Sequence, residues 1–161
     1  RAPGDDDVYV ANTLIGTSHA LRRDLFLKLG AYREQLFHQG EEMDYAIRML
    51  DAGYYIRLGS ADPVHHYESP RRDITRMSLF GRRNDVLFAW HNAPHPLVYI
   101  MGTTVNGMKH GFKLGRPLLM ACGLWRGYLA CFSERRQPVK RDTWQLYRRM
   151  KHQGPVRLSS L

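Results

Sequence analysis

Two prolines near the middle of the chain, Pro94 and Pro96, constrain the fold more than any other feature of the sequence. Proline has no backbone N–H, its ring clashes with a preceding helical turn, and it disfavours helical backbone in the residue before it. No helix is therefore expected to run through residues 92–96. The length of 161 residues suits roughly one domain-sized core, and this boundary divides it into a segment of residues 1–92 and a segment of residues 93–161.

The two segments differ sharply in charge. Residues 1–92 carry 12 basic and 13 acidic side chains, whereas residues 93–161 carry 12 basic side chains and only Glu134 and Asp142, a net charge of +10. Such an asymmetry indicates an anionic partner for the second segment: a lipid surface, a nucleic acid or a phosphorylated substrate. A solvated basic surface is the simpler alternative. The two cysteines cannot form a disulfide framework, so a reduced, intracellular setting is expected.

Periodicity predicts a mixed α/β first segment. Residues 8–15, 54–58 and 61–67 have the composition of strands, although Pro63 limits the last of these to a sheet edge. A short helix is expected to end at Gly30. A longer helix over residues 41–53 carries four apolar side chains at i, i+3, i+4 and i+7, namely Met43, Ala46, Ile47 and Leu50. Ser69 and Pro70 have the pattern of an N-cap and a first-turn proline, which predicts a further helix reaching about residue 91.

The second segment is predicted to be helical throughout. Apolar stripes mark one helix after Pro96 and another over residues 118–132, and Trp144, Tyr147 and Met150 indicate a last short helix. No stretch reaches the ~20 apolar residues that span a bilayer, and Arg126 interrupts the nearest candidate. A helix lying in the membrane interface is therefore expected rather than a spanning one. The apolar stripes favour lipid over nucleic acid as the anionic partner.

Three groups of side chains could carry chemistry. Glu41, Glu42 and Asp44 fall in the first turn of the helix over residues 41–53, where acids are ordinary capping residues but could also include a general base. His65 and His66, with Glu68 nearby, could bind a divalent metal or a phosphate, which leaves a metal-dependent hydrolase as one alternative, although no zinc-site spacing is present.

The third group is Arg82, Arg83 and Asn84. Guanidinium groups suit phosphate oxygens, although an arginine pair on a helix is more often a solvated face. His19 and the pair Arg22 and Arg23 follow the turn at Gly16 and could also face a site.

The order of these groups carries more information than any one of them. A glycine-containing turn leads to Arg-Arg, then Leu-Gly-Ala-Tyr, Phe-x-x-Gly-Glu-Glu-x-Asp, Ala-Gly-Tyr, Val-His-His and Arg-Arg-Asn-Asp. Over residues 14–92 this resembles the second half of the family-two, GT-A-fold glycosyltransferases of bacteria. The chain departs from the family pattern in two places. Glu42 stands where the family has Asp, and Ala-Tyr-Arg-Glu stands at residues 31–34 where the family has Gly-Phe-Asp-Glu.

The resemblance implies an α/β fold: a partial GT-A-type domain with few strands and mostly helices, followed by the C-terminal helices. It implies inverting transfer of a sugar from a nucleotide-sugar donor to an acceptor hydroxyl, in cell-surface polysaccharide or glycolipid synthesis. It places the catalytic base at Glu42, with Glu41 as the alternate and Asp44 orienting the loop or acceptor. It also implies donor-phosphate contacts from Arg82, Arg83, Asn84 and His65, and a metal contact from His66.

The same resemblance implies that a nucleotide-binding half with an Asp-x-Asp metal motif precedes this segment in the complete enzyme, together with Mg²⁺ or Mn²⁺. These 161 residues hold no such half, so the isolated chain is expected to be an incomplete and inactive acceptor-side portion. The implied location is cytoplasmic, at the inner face of the membrane, with a saccharide or lipid-linked acceptor and no nucleic acid. The alternative is a basic module that binds membrane or nucleic acid without catalysis.

Overall fold

A computed structural model describes residues 8–59, 62, 65, 67 and 73–161, and this part of the chain contains six α-helices and a three-stranded antiparallel sheet. The helices are α1 (Arg23–Leu29), α2 (Glu41–Asp51), α3 (Ile74–Asn92), α4 (Pro96–Lys113), α5 (Pro117–Cys131) and α6 (Arg141–Gln153). The strands are β1 (Tyr9–Ala11), β2 (Ile56–Arg57) and β3 (Val156–Arg157), and 3₁₀ turns occupy Glu34–Leu36 and Leu158–Ser160. The predicted mixed α/β class with mostly helical content is confirmed.

The sheet has the order β2-β1-β3, so β1 pairs with both neighbours. Val10 lies opposite Arg57 on one side and opposite Val156 on the other. The strands predicted at residues 8–15 and 54–58 are present but shorter, because the chain leaves the sheet after Ala11 and bends toward the turn at Gly16. The strand β3 was not predicted, and the one expected at residues 61–67 lies largely outside the described residues.

The predicted helices are present, with one change of boundary. The helices α1, α2 and α6 follow the apolar spacing of the sequence, and Gly30 follows α1 with a positive φ of 78°. Helix α3 begins at Ile74, because the Asp73 side chain accepts a hydrogen bond from the Arg76 backbone N–H at 2.9 Å and caps the helix there. The N-cap predicted at Ser69 is therefore wrong for the observed helix, and Ser69 and Pro70 lie outside the described residues.

Helix α2 lies between two apolar clusters. One cluster joins Tyr45 and Ala46 to Leu14, Leu25 and Ile56, which lie in the loop after β1, in α1 and in β2. The other cluster draws on both sides of the proline boundary, and its members are Val10, Ile47, Leu50, Phe88, Ala93, Val139, Trp144, Tyr147 and Met150. Residues 1–92 and 93–161 therefore share a core as well as a sheet.

Helix α5 packs on α3 through glycines. A Cβ atom built on Gly123 would lie 2.7 Å from the Leu79 carbonyl oxygen, and one on Gly127 would lie 2.8 Å from the Arg83 carbonyl oxygen. Real side chains do not approach backbone so closely, so glycine at both positions is what lets the two helices meet. The large side chains of α5 consequently lie on its other faces. Within the described residues, no helix combines the length and apolar character needed to cross a membrane.

Candidate functional site

The acidic pair predicted as the base lies at the first turn of α2, beside the turn at Gly16. Gly40 precedes the helix with a φ of 93°, and Glu41 and Glu42 follow as its first two residues. A Cβ atom built on Gly16 would collide with Oε1 of Glu42, so this carboxylate lies directly against the Gly16 backbone. Oε2 of Glu41 is buried and has no hydrogen-bond partner among the described residues. Acidic side chains are common at this end of a helix, because the helix dipole favours negative charge there.

Gly16 also forms part of an open groove of about 970 Å³. Its lining comprises residues 11–22 and 54–59 with Leu25, Met49 and Pro155. Hydroxyl, imidazole and guanidinium groups of Thr17, Ser18, His19 and Arg22 stand beside the apolar floor of Leu25 and Ile56. Ligand pockets commonly combine apolar surface with a few polar groups that orient the ligand, as this groove does. Gly16 lines the groove and also contacts the Glu42 carboxylate, although Glu42 itself is not one of the lining residues.

His19 and Tyr32 form a hydrogen-bonded pair at the same turn. Nδ1 of His19 lies 3.0 Å from the Ile15 carbonyl oxygen, so in the neutral ring this nitrogen carries the proton and donates it. Nε2 of His19 then accepts from the Tyr32 hydroxyl at 3.2 Å. Burial raises the pKa of Tyr32, and the negative charge of Glu42 adds to the rise, so the phenol stays protonated. In the sequence Tyr32 closes the Leu-Gly-Ala-Tyr block, and that block is the clue to its position.

The loop before α2 has a backbone conformation that residues other than glycine rarely adopt. His38, Gln39 and Gly40 have φ values of 61°, 85° and 93°, three successive residues in the positive region. Such conformations persist only where the surrounding structure holds them, and they are frequent at functional sites. The loop sets the direction in which α2 starts, so it also positions Glu41 and Glu42.

Asn84 and Arg83 hold this loop. The Asn84 Nδ2 donates to the carbonyl oxygens of Phe37, His38 and Gln39 at 3.2, 3.3 and 2.6 Å. Arg83 donates to the Gln35 carbonyl at 2.6 Å and to Oδ1 of Asn84 at 2.8 Å. Asn84 is only 1% exposed. The predicted phosphate contact of Asn84 is therefore not made in this conformation, because its amide is enclosed and bound to backbone.

Arg82, Arg83 and His65 were also predicted as phosphate ligands. Arg82 pairs with Asp85 at 2.9 Å, one turn along α3, and a Cβ atom on Gly107 of α4 would lie 3.2 Å from its Cδ. Partial burial lowers the pKa of Arg83. His65 is exposed, and His66 lies outside the described residues. Arg82 and Arg83 are therefore engaged with Asp85 and with the Gln35 carbonyl oxygen.

Asp44 is the centre of a buried charge cluster. It is fully buried, and its Oδ1 accepts from Arg33 at 2.5 Å and from the Asn92 amide at 2.8 Å. Its Oδ2 accepts from Arg48 at 3.0 Å, and Arg48 also donates to the Leu29 and Ala31 carbonyls. Asp44 therefore ties α2 to the segment before it and to the end of α3. These contacts agree with an orienting role, and they leave neither oxygen directed at the groove.

Residues for a divalent metal were tested against the same geometry. Among the residues that the structure describes, no three His, Cys, Asp or Glu side chains come together as a metal-binding group. The described side chains therefore do not form a resident metal site by themselves.

Comparisons with protein-family models, with curated proteins and with solved structures gave no match for this chain.

Proposed function

We propose that this chain is the acceptor-side portion of an inverting glycosyltransferase with a GT-A-type fold. The main support for the proposal is the contact between the Glu42 carboxylate and the turn at Gly16, which lines the groove. The order of residue blocks along the sequence supports it independently. In this proposal the groove receives the acceptor, a saccharide or a lipid-linked sugar, and the donor is a nucleotide sugar.

Glu42 is the proposed general base. A sugar hydroxyl is a weak nucleophile at neutral pH, and a carboxylate within hydrogen-bond reach accepts its proton as the bond to the anomeric carbon forms. The bond from the anomeric carbon to the donor phosphate breaks in the same step, and the nucleoside diphosphate leaves with the electron pair. Glu41 is the alternate base, because one of its oxygens is buried without a partner among the described residues. Asp44 and Asn84 are positioning residues that fix the start of α2.

The donor side of the reaction needs groups beyond this set. The charge that grows on the leaving diphosphate requires a metal or arginines. His65 is exposed, whereas Arg83 would first have to release the Gln35 carbonyl to reach a phosphate. We propose that the Mg²⁺ or Mn²⁺ and its Asp-x-Asp ligands come from a nucleotide-binding half on the same polypeptide. The free thiols of Cys122 and Cys131 fit the proposed cytoplasmic location.

The first test is to sequence the gene upstream of the codon for Arg1. An Asp-x-Asp after a strand in a βαβ context supports the proposal, and an upstream frame that encodes no such half overturns it. The chain alone is also expected to show no transferase activity and no saturable binding of nucleoside diphosphate with Mg²⁺ or Mn²⁺. Micromolar binding by calorimetry would contradict the view that donor binding lies outside these residues.

The second test is a transferase assay on the longer polypeptide. Glu42→Gln keeps the shape of the side chain but removes proton acceptance, so turnover should fall by about 10²-fold or more while donor affinity stays unchanged. Glu34→Gln, an exposed glutamate on the 3₁₀ turn, is the matched control and should retain full turnover. Full turnover in the Glu42→Gln variant would show that Glu42 is not the base. Glu41→Gln would then be the next variant to assay.

A further inference from the structure

The outer face of α5 is built almost entirely of exposed apolar side chains. Leu118, Cys122, Trp125, Leu129 and Phe132 recur at intervals of three and four residues, which places them on one stripe of the helix. Phe132 is 90% exposed, Leu118 is 84% exposed and Trp125 is 61% exposed. The stripe lies opposite Gly123 and Gly127, which face α3, so it points away from the rest of the molecule.

Helix α4 has the same inverted arrangement. Its stripe of Val98, Met101, Val105 and Phe112 is exposed, with exposed Leu97 beside it at the start of the helix. Its buried positions are two glycines, Gly107 and Gly111, which face α5 and α3. Helices α4 and α5 also pack against each other. Single exposed apolar residues are ordinary, but two neighbouring helices that both expose their large apolar side chains indicate a surface that something covers.

The charge around this surface identifies its partner. Residues 93–133 contain no Asp or Glu, and they carry four basic side chains, Lys109, Lys113, Arg116 and Arg126. All four are exposed. Lys109 and Lys113 adjoin the α4 stripe, Arg126 adjoins the α5 stripe, and Arg116 lies in the turn between the two helices. A second copy docked on this surface would oppose four positive charges to four others, whereas an anionic surface would complement them.

We propose that the exposed faces of α4 and α5 form a docking surface for anionic lipid headgroups. The apolar stripes enter the boundary between headgroups and acyl chains, and the basic side chains at their edges pair with lipid phosphates. This attachment is independent of the proposed transferase chemistry, because it uses none of the residues at the start of α2. It brings the chain to a membrane surface, where a lipid-linked acceptor would be found.

The test is co-sedimentation of the 161-residue chain with phosphatidylcholine vesicles that contain or lack phosphatidylserine. Binding should require phosphatidylserine and weaken as salt rises. Trp125 should show a blue-shifted emission on binding, and a water-soluble maleimide should label Cys122 more slowly. Equal recovery in the supernatant with both vesicles at low salt overturns the proposal.

Two pairs of variants separate the apolar and the charged contributions. Trp125→Ala with Phe132→Ala should lower vesicle affinity at least tenfold, whereas Leu27→Ala with Tyr67→Ala removes two side chains as exposed elsewhere and should change nothing. Equal loss in both pairs would refute a specific surface. Because all four side chains are exposed, circular dichroism should show unchanged folding.

Neutralising the edge of the surface tests the role of charge. Each basic residue near an anionic membrane is worth about fivefold in affinity, so Lys113→Gln with Arg126→Gln should cost about 25-fold. Arg149→Gln with Lys151→Gln on α6 makes the same change in net charge away from the surface and should cost far less. Sedimentation velocity completes the set. A dimer of the free chain that Trp125→Ala and Phe132→Ala abolish would replace lipid with a second copy and overturn the proposal.

Discussion

Substituting Asp44 by Asn is a direct test of whether this carboxylate holds the fold together. The change keeps the side-chain shape but removes the negative charge that Arg33 and Arg48 share. Arg33 and Arg48 would then face each other across a neutral amide. The new amide also carries donors, so one of them would point at a guanidinium or at the Asn92 amide, which are donors themselves.

The expected loss in the free energy of unfolding follows from the burial of Asp44. Removing one partner of a buried ion pair typically costs about 3–5 kcal/mol, because the remaining charge is left without compensation. The Arg33 and Arg48 side chains are 13% and 15% exposed and can turn partly toward water, and Arg48 keeps its two carbonyl partners. The lower end, about 3 kcal/mol, is therefore expected. For a chain of this size it corresponds to a fall in Tm of about 6–12 °C.

The assay is urea unfolding followed by circular dichroism, with calorimetry for Tm. Asp24→Asn is the matched control, because Asp24 pairs with Arg22 at 2.6 Å but both side chains are mostly exposed. Exposed pairs add little to stability, so this variant should unfold like the parent chain. A loss below about 1 kcal/mol for Asp44→Asn would refute the conclusion that its charge is structurally required.

Three further predictions follow from individual contacts. Gly16→Ala should displace the Glu42 carboxylate and lower turnover of the longer polypeptide at least tenfold while Tm stays constant; unchanged turnover would separate the turn from the base. Burial, with the nearby Arg33 charge, lowers the pKa of His91. The folded state therefore binds fewer protons than the unfolded state, so stability should fall as pH drops below about 6.5 and continue to fall to the lowered pKa. A series of Tm values against pH should be flatter for His91→Gln, and an equal slope would contradict this. Burial raises the pKa of Cys131 to about 11, so about 0.1% of it is thiolate at pH 8, and iodoacetamide should modify Cys122 first in peptide mapping.

Periodicity predicted the helices well, because the apolar side chains of a helix that packs on the core recur every three to four residues. Met43, Ala46, Ile47 and Leu50 gave α2 its length and its buried face before any contact was known. The strands were less predictable, since β2 and β3 have two residues each and exist only because β1 pairs with them. A two-residue segment has no period of its own, so its state depends on a partner distant in the sequence.

The sequence predicted where the candidate site lies but not the direction in which each of its side chains points. The sequence brought Glu41, Glu42 and Asp44 to one helical turn, yet Asp44 points inward and Glu42 points to the Gly16 turn. Which way each carboxylate faces depends on Arg33 and on the loop before α2, and neither is encoded in the spacing of the acids. The glycines of α4 and α5, spaced four residues apart, were the available clue that the apolar stripes of these helices face outward.

The amide of Asn84 also determines how much sequence change the loop before α2 can accept. Its two N–H bonds are shared by three successive carbonyls, and those carbonyls belong to the backbone, which every residue possesses. The side chain at position 37 can therefore vary, whereas aspartate or leucine at position 84 would provide no donor. In a randomised library, position 84 should be returned as asparagine and position 37 should diversify, while the positive φ values at positions 38 and 39 favour glycine or asparagine there. The conformation of this loop therefore depends on a side chain that lies 45 residues downstream of Gln39.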